Sequence, residues 1–527
     1  MNVLDAAISH LSLLVQLFAA SPICQIALFG LVTWRLWRFT ISPALYPEDP
    51  REVPYWIPCM PSFQIAKQNR TKEPFAITFA GQTMYIISDP KDAAEISRNS
   101  TNVSRDLPTK EMYTRLGITQ TVVDQLFTIQ PDTSAGSGNS ETNNNTSSLH
   151  PTDTIMEMYR VHLSPGPRLD TFLEADIIPR IQAAFKLDSL QQMSARGIIG
   201  AYYGDLLFCL HPGLMQQYMI WEKVNWKFIF GLPSFLSGDM LDAQRGLVDA
   251  FTRYFAIPAE KRGHSNFWVD SVESLLRHLD ISNEDIGRLF MLQTWGILGN
   301  VFKTTFWVVA YILDDPALVE AITTEIHPAV TRGPQGVTIH HHYLSEKCPK
   351  LDSLFSEVLR LTMTSPMARD IVSPATIGSR RLREGRRVLI LYRQLHLDPT
   401  TWGPTPERFQ PDRFLRDITL KSNIAYRPWV AGKNLCPGRF LAKRAVFTFV
   451  ACLFGQFDVS LVDERGGQIG DTSGNGGKKT FSRLGKAFPE ADLSKPTPGI
   501  ASIADGQDVL LRLRRRDRAR APVPRRD

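Results

Sequence analysis

The chain has 527 residues, of which 43% are hydrophobic, 21% charged and 10% aromatic, a composition that builds a buried core and excludes disordered and fibrous classes. Its net charge of +6 resides in the tail, where Arg512 to Asp527 carry eight Arg and two Asp, so the neutral remainder offers no nucleic-acid-binding face. The six Cys at 24, 59, 209, 348, 436 and 452 form no CxxC pair and no metal spacing, which argues against a disulfide framework and for a reducing compartment.

The first predicted element runs from Ala6 to Trp34, 29 residues without a formal charge. About 20 apolar residues suffice to cross a bilayer as a helix. Arg35 and Arg38 follow, with Trp34 and Trp37 at interfacial depth, which favours the C-terminal side as cytosolic. A signal peptide fits less well, because the basic leading segment is missing and the run is long. The expectation is a single-pass anchor over 1–36, in the endoplasmic reticulum membrane. Prolines 43, 47, 50, 54, 58 and 61 then predict a stiff extended linker over 37–62, followed by a folded domain over 63–516 and a basic tail over 517–527. Within the domain, Met84 to Ser88 reads as a strand, Asp89-Pro90 as a turn and Lys91 to Ile96 as a helix. Gln130 to Thr154 is of low complexity and reads as a disordered insertion. Helical periodicity dominates from Ile155 to Leu361, and the final third alternates short strands with Pro/Gly turns. The fold class is mainly α with a smaller β-sheet region, preceded by one N-terminal transmembrane helix.

The stretch Trp429-Val-Ala-Gly432-Lys433-Asn-Leu-Cys436-Pro437-Gly438-Arg-Phe-Leu-Ala442 carries the chemistry. A glycine-containing loop delivers Cys436 to the start of a helix, where free N–H donors and the helix dipole favour a thiolate. Pro437 suits a first helical turn, which needs no N–H there. Gly432 and Gly438 leave room for something flat. Such a sulfur suits axial ligation of haem iron. The plain alternative is a buried Cys acting as a small hydrophobe.

The same stretch resembles the haem-binding signature of the cytochromes P-450, with Trp429, Gly432, Cys436, Gly438 and Ala442 at its defining positions and Trp429 where most members have Phe. Glu357-Val-Leu-Arg360 resembles the family's Glu-x-x-Arg helix, and Pro411-Asp-Arg413-Phe the motif that completes a Glu357–Arg360–Arg413 network. The resemblance implies haem b held by Cys436, with Trp429, Gly432, Lys433, Gly438 and Arg369 around it. Lys433 and Arg369 are expected propionate partners, and Arg160 and His162 weaker ones.

Most members carry an acid–alcohol pair in the long helix over the haem, which relays protons. The matching helix here is expected from Glu284 to Leu313, with Gly299 at the acid position and Asn300 at the alcohol. No such pair is present. Gly299-Asn300 followed by Phe306-Trp307 resembles the branch of cholesterol 7α-hydroxylase, sterol 12α-hydroxylase and prostacyclin synthase, as does Phe230-Gly-Leu-Pro233. An Asn amide can donate but cannot titrate. Lys303 is expected to reach solvent or a propionate, and His340, His341 and His342 to be solvated. The resemblance implies a monooxygenase acting on a lipophilic sterol, terpenoid or other secondary metabolite, with O2, membrane lipid and a separate NADPH–cytochrome reductase as partners. The alternatives are a reductase-independent haem-thiolate isomerase or dehydratase, and a non-enzymatic sensor or scaffold.

Overall fold

The computed structural model describes residues 22–54, 72–79, 81–129, 149–185, 189–264, 266–333, 336–432, 435–462, 481, 487–495 and 497–516. The apolar run up to residue 21, the Pro-rich stretch from residue 55, residues 130–148, Lys433, the Gly-rich stretch 466–477 and the basic tail therefore lie outside them. The chain divides into two compact units, Met1–Ser104 with Ala368–Ile390, and Arg105–Met367 with Leu391–Asp527.

In the first unit the helix Pro22–Leu36 exposes Ile23, Ile26, Leu28 and Phe29. It continues through a π turn, Trp37–Ile41, into the helical turn Ser42–Leu45. The extended linker expected from residue 37 therefore begins only after Leu45. Pro43 sits at the start of that turn, where a missing N–H is tolerated, so proline density alone does not deny helix there. A six-stranded sheet follows in the order Arg51–Glu52, Phe75–Phe79, Gln82–Ile87, Arg387–Leu391, Pro366–Ile371 and Val103–Ser104. The strand read at Met84 is the third of these, and the helix after it spans Pro90–Arg98. Asp89 caps that helix by accepting from Lys91 N–H at 2.7 Å.

The second unit is helical. Its axis is the helix Asn283–Asp314, capped by Ser282 accepting from Asp285 N–H at 3.1 Å and ended before Asp315-Pro316. At ~1.5 Å per residue it extends about 48 Å. Among the described residues it alone is long and apolar enough to cross a membrane, and it is mostly buried, as the central helix of a soluble core also would be. The core beside it is aromatic: Tyr159 stacks on Trp268 at 4.3 Å, and Phe255 meets Phe290 at 4.2 Å. The helix Pro151–Leu163 begins inside the segment read as a disordered insertion, because Pro151 starts it and Thr152 and Ile155 are buried. Two-stranded sheets at Val330–Gly333 with Gly336–Ile339, and at Phe457–Val462 with Leu510–Arg515, complete the described part of the unit.

Candidate functional site

The Cys436 loop is held by its own backbone. Cys436 N–H donates to Trp429 O at 2.9 Å and Leu435 N–H to Gly432 O at 3.1 Å. Closing this loop puts Gly432 at φ +66° and Val430 at φ +67°. For a β-branched residue the left-handed region costs on the order of 1–3 kcal/mol, a strain that tends to mark functional loops. The helix that follows is Arg439–Gln456, and Arg439 turns back to donate to Cys436 O at 2.8 Å.

Burial pushes the Cys436 thiol up, outweighing the Gly438 N–H, the Arg439 charge and the Arg439 N–H, which pull it down. The helix-terminal amides of Gly438 and Arg439 do face the sulfur, and burial opposes them. Ionisation needs a cation at the sulfur, as a ligated iron supplies. The donor set fits haem: one soft sulfur in an amide-lined loop. Among the described residues a group of three ligating side chains lies elsewhere, at Asp170, His341 and His342.

Behind the loop, Glu357, Arg360 and Arg413 come together in full burial. Arg360 donates to both Glu357 oxygens at 2.8 and 2.7 Å, and to the carbonyls of His396 and Pro406 at 2.7 Å each. Arg413 Nε reaches the same carboxylate at 3.1 Å, and its Nη1 donates to Trp402 O at 3.0 Å. His396 Nε2 accepts from Arg427 N–H at 2.9 Å, Tyr426 donates to Ser356 O at 3.0 Å, and the Trp429 ring stacks on Phe355 at 6.2 Å. These contacts lead from the network into the Cys436 loop. Burial, with Arg360 nearby, holds the His396 pKa down at about 3, so the ring is a neutral acceptor.

In the long helix, Asn300 Oδ1 accepts Ile500 N–H at 2.9 Å. Its amide is thereby oriented by the segment 497–503, which sequence reading did not connect to it. Gly499 has φ +101°, and a Cβ there would lie 1.9 Å from Asn300 Oδ1. Thr304 donates back to Asn300 O at 2.7 Å and Thr305 to Val301 O at 2.9 Å, so both hydroxyls are engaged with their own helix. Lys303 corrects the expectation. It is buried, and its Nζ lies 2.8 Å from Oε2 of Glu222, a carboxylate on the helix Leu214–Val224 that sequence reading passed over. Glu222 Oε1 would lie 2.9 Å from a Cβ placed on Gly299.

The remaining residues scatter. Lys433 lies outside the described residues, and Arg369 is on the strand Pro366–Ile371 of the first unit. Arg160 pairs with Glu157 at 2.8 Å. His162 is caged by Phe172, Tyr202 and Phe267, and neither ring nitrogen has a hydrogen-bond partner among the described residues. His341 is buried rather than solvated and lies 3.0 Å from Glu174, because it opens the helix His341–Glu346 facing inward.

A family model described as Cytochrome P450 matches residues 259–474, a stretch that contains Glu357, Arg360, Arg413 and Cys436. Over that stretch the chain is a cytochrome P450 match. Haem is the cofactor of this P450. It is 29% identical over 46% of its length to prostacyclin synthase of Rattus norvegicus, and spans about half of that protein (49%). It is 21% identical over 84% of its length to cytochrome P450 monooxygenase poxD of Penicillium oxalicum, covering 94% of that protein. Among solved structures it resembles the cytochrome P450DA heme domain, with a TM-score of 0.57 at 17% identity over 86% of this chain and 92% of that one. That likeness is one of fold.

Proposed function

We propose that this P450 is a membrane-anchored monooxygenase that inserts one oxygen atom of O2 into a lipophilic substrate, a sterol, terpenoid or other secondary metabolite, using electrons from a separate NADPH–cytochrome reductase. The observation that carries this reading is the strained Cys436 loop, with its sulfur faced by the Gly438 and Arg439 amides and braced from behind by Glu357, Arg360 and Arg413. When bound, haem supplies oxygen activation, which a thiolate ligand promotes. Cys436 would hold the iron, and Gly432 and Gly438 would leave the flat space beside it. Amides directed at the sulfur stabilise its negative charge and keep it a ligand rather than a nucleophile. Net, a substrate C–H bond, O2, two electrons and two protons give an alcohol and water.

Substrate class and location rest on surface chemistry. Ile23 is 78% exposed and Phe29 74% on the first described helix. In the other unit, Phe235 is 83% exposed beside Leu236 and Phe230. Apolar groups so displayed suit a bilayer, here that of the endoplasmic reticulum with the larger part of the chain on its cytosolic side. The expected result for wild type is a thiolate-type band in the reduced carbon monoxide difference spectrum, and product only with reductase and NADPH. C436S is expected to lose both band and oxygenation; retention of both would overturn the reading. Product formed from a peroxide substrate without NADPH would select rearrangement instead.

A further inference from the structure

The long helix lacks an acid where the proton relay is expected, and the space there is filled from another helix. Gly299 is a mid-helix glycine, which costs about 1 kcal/mol relative to Ala. Its missing side chain admits the Glu222 carboxylate, whose Oε1 would be 2.9 Å from any Cβ at 299. Tyr218 donates to Oε1 at 2.8 Å, and Asn225 Nδ2 to Oε2 at 3.3 Å. Burial and the Glu222 charge hold Tyr218 as a phenol. Lys303, one helical turn after Gly299, brings its ammonium to 2.8 Å from Oε2 and has no other hydrogen-bond partner among the described residues. Burying such a pair is expensive, and apolar residues of similar volume would commonly serve stability as well or better.

The pair is buried but not sealed. A cleft of about 440 Å³ is lined by Glu222, Lys303, Asn225 and Ser502 together with Asp492, Lys495 and Asp505. Lys495 bridges Asp492 at 3.1 Å and Asp505 at 3.3 Å, so the lining is polar and suits water. Glu222 thus lines a polar cleft, while its Oε1 lies against Gly299 and its Oε2 against Lys303.

We propose that Glu222 is the proton-relay acid of this P450, supplied by the helix Leu214–Val224 in place of a residue-299 side chain, with Lys303 as its buried counter-charge and the cleft furnishing its protons. Each transfer takes a proton from cleft water onto the Glu222 carboxylate and passes it inward past Gly299, returning the carboxylate to Lys303. Two such transfers supply the two protons that accompany two reductase electrons in the reaction above. The proposal rests on the monooxygenase reading.

The test uses full-length protein with haem. E222Q is expected to fold and to keep the thiolate-type band. It should lose product formation by ~10²-fold, the usual worth of a general acid, with reducing equivalents diverted to hydrogen peroxide. G299D in an E222A background, which clears the space the Glu222 side chain fills and puts an acid there, should recover at least part of the loss relative to E222A. A second readout needs no turnover: the infrared C–O stretch of carbon monoxide on the reduced protein. E222Q leaves the ammonium alone and should lower that frequency; K303M leaves the carboxylate alone and should raise it. Should E222Q fail to fold, the double variant E222M/K303M removes both charges and carries the same expectation of lost product. Wild-type product formation in E222Q or in E222M/K303M, or stretches unmoved from wild type, would overturn the relay. Absence of the thiolate-type band from wild type would instead sink the underlying reading.

Discussion

Two buried ion pairs in the helical unit differ in how completely they are satisfied. The carboxylate of Glu357 takes both Arg360 nitrogens, Arg413 and the Gln410 N–H, and Arg360 also ties down two carbonyls; only Arg413 Nη2 lacks a partner. The Glu222–Lys303 pair has a well-held carboxylate, an ammonium with a single partner, and a cleft at its side. A guanidinium brings several donors in fixed directions and suits a permanent brace, whereas an ammonium is a point charge that can release its partner. Both pairs are buried, and only the second is built to change state.

The largest expected effect comes from the brace. E357Q leaves Arg360 and Arg413 without their shared anion in a buried site, and should cost about 3–5 kcal/mol, read as urea unfolding of the haem-free chain or failure to express. K303M also strands a charge, but the cleft can hydrate Glu222, so a smaller loss of about 1–2 kcal/mol is expected. Equal costs would erase the distinction between the two pairs.

Next is the strap that orients Asn300. G499A places a methyl group on Asn300 Oδ1 and a side chain at φ +101°, with an expected loss of about 2–4 kcal/mol in thermal unfolding. N300A in that background removes the clash but not the backbone strain, so it should return part of the loss. Full recovery would mean that the backbone carries no strain at Gly499.

How much of this was legible follows from range along the chain. The long helix was readable to within a residue at each end, Glu284–Leu313 against Asn283–Asp314, because its Ser282 cap and the Asp315-Pro316 stop are local signals. The Glu-x-x-Arg spacing is likewise local. Glu222 was not legible: nothing near it marks it, and only the packing of two helices brings it over Gly299. The burial of Lys303 was missed for the same reason, since the partner that permits it lies on another element. The segment 497–503 binds Asn300 and Trp307 through backbone groups, which every sequence offers and none advertises. At Cys436 the sequence displays the helix-terminal amides but not the depth of burial that opposes them.

The smallest effect separates satisfied from unsatisfied groups among the histidines. His396 accepts a hydrogen bond, whereas His162 sits among aromatic rings with both nitrogens unpartnered, and burial holds its pKa at about 4. Both imidazoles are neutral in the fold and protonate near 6.5 when unfolded, so below that pH the unfolded chain binds more protons. Stability is therefore full above pH 6.5 and falls as the pH drops towards 4. Between pH 6.5 and 5 each ring's share is up to ~2 kcal/mol. H162F should remove one share, flattening but not abolishing the acid slope, because His396 retains its own. At pH 7 the phenyl ring should also stabilise the fold slightly, since an aromatic cage is better filled by carbon than by two unpaired nitrogens. Urea unfolding of H162F at pH 7 and pH 5 measures both. An unchanged slope would mean that His162 has a partner in solution, and a haem content that fell with it would identify that partner as the cofactor.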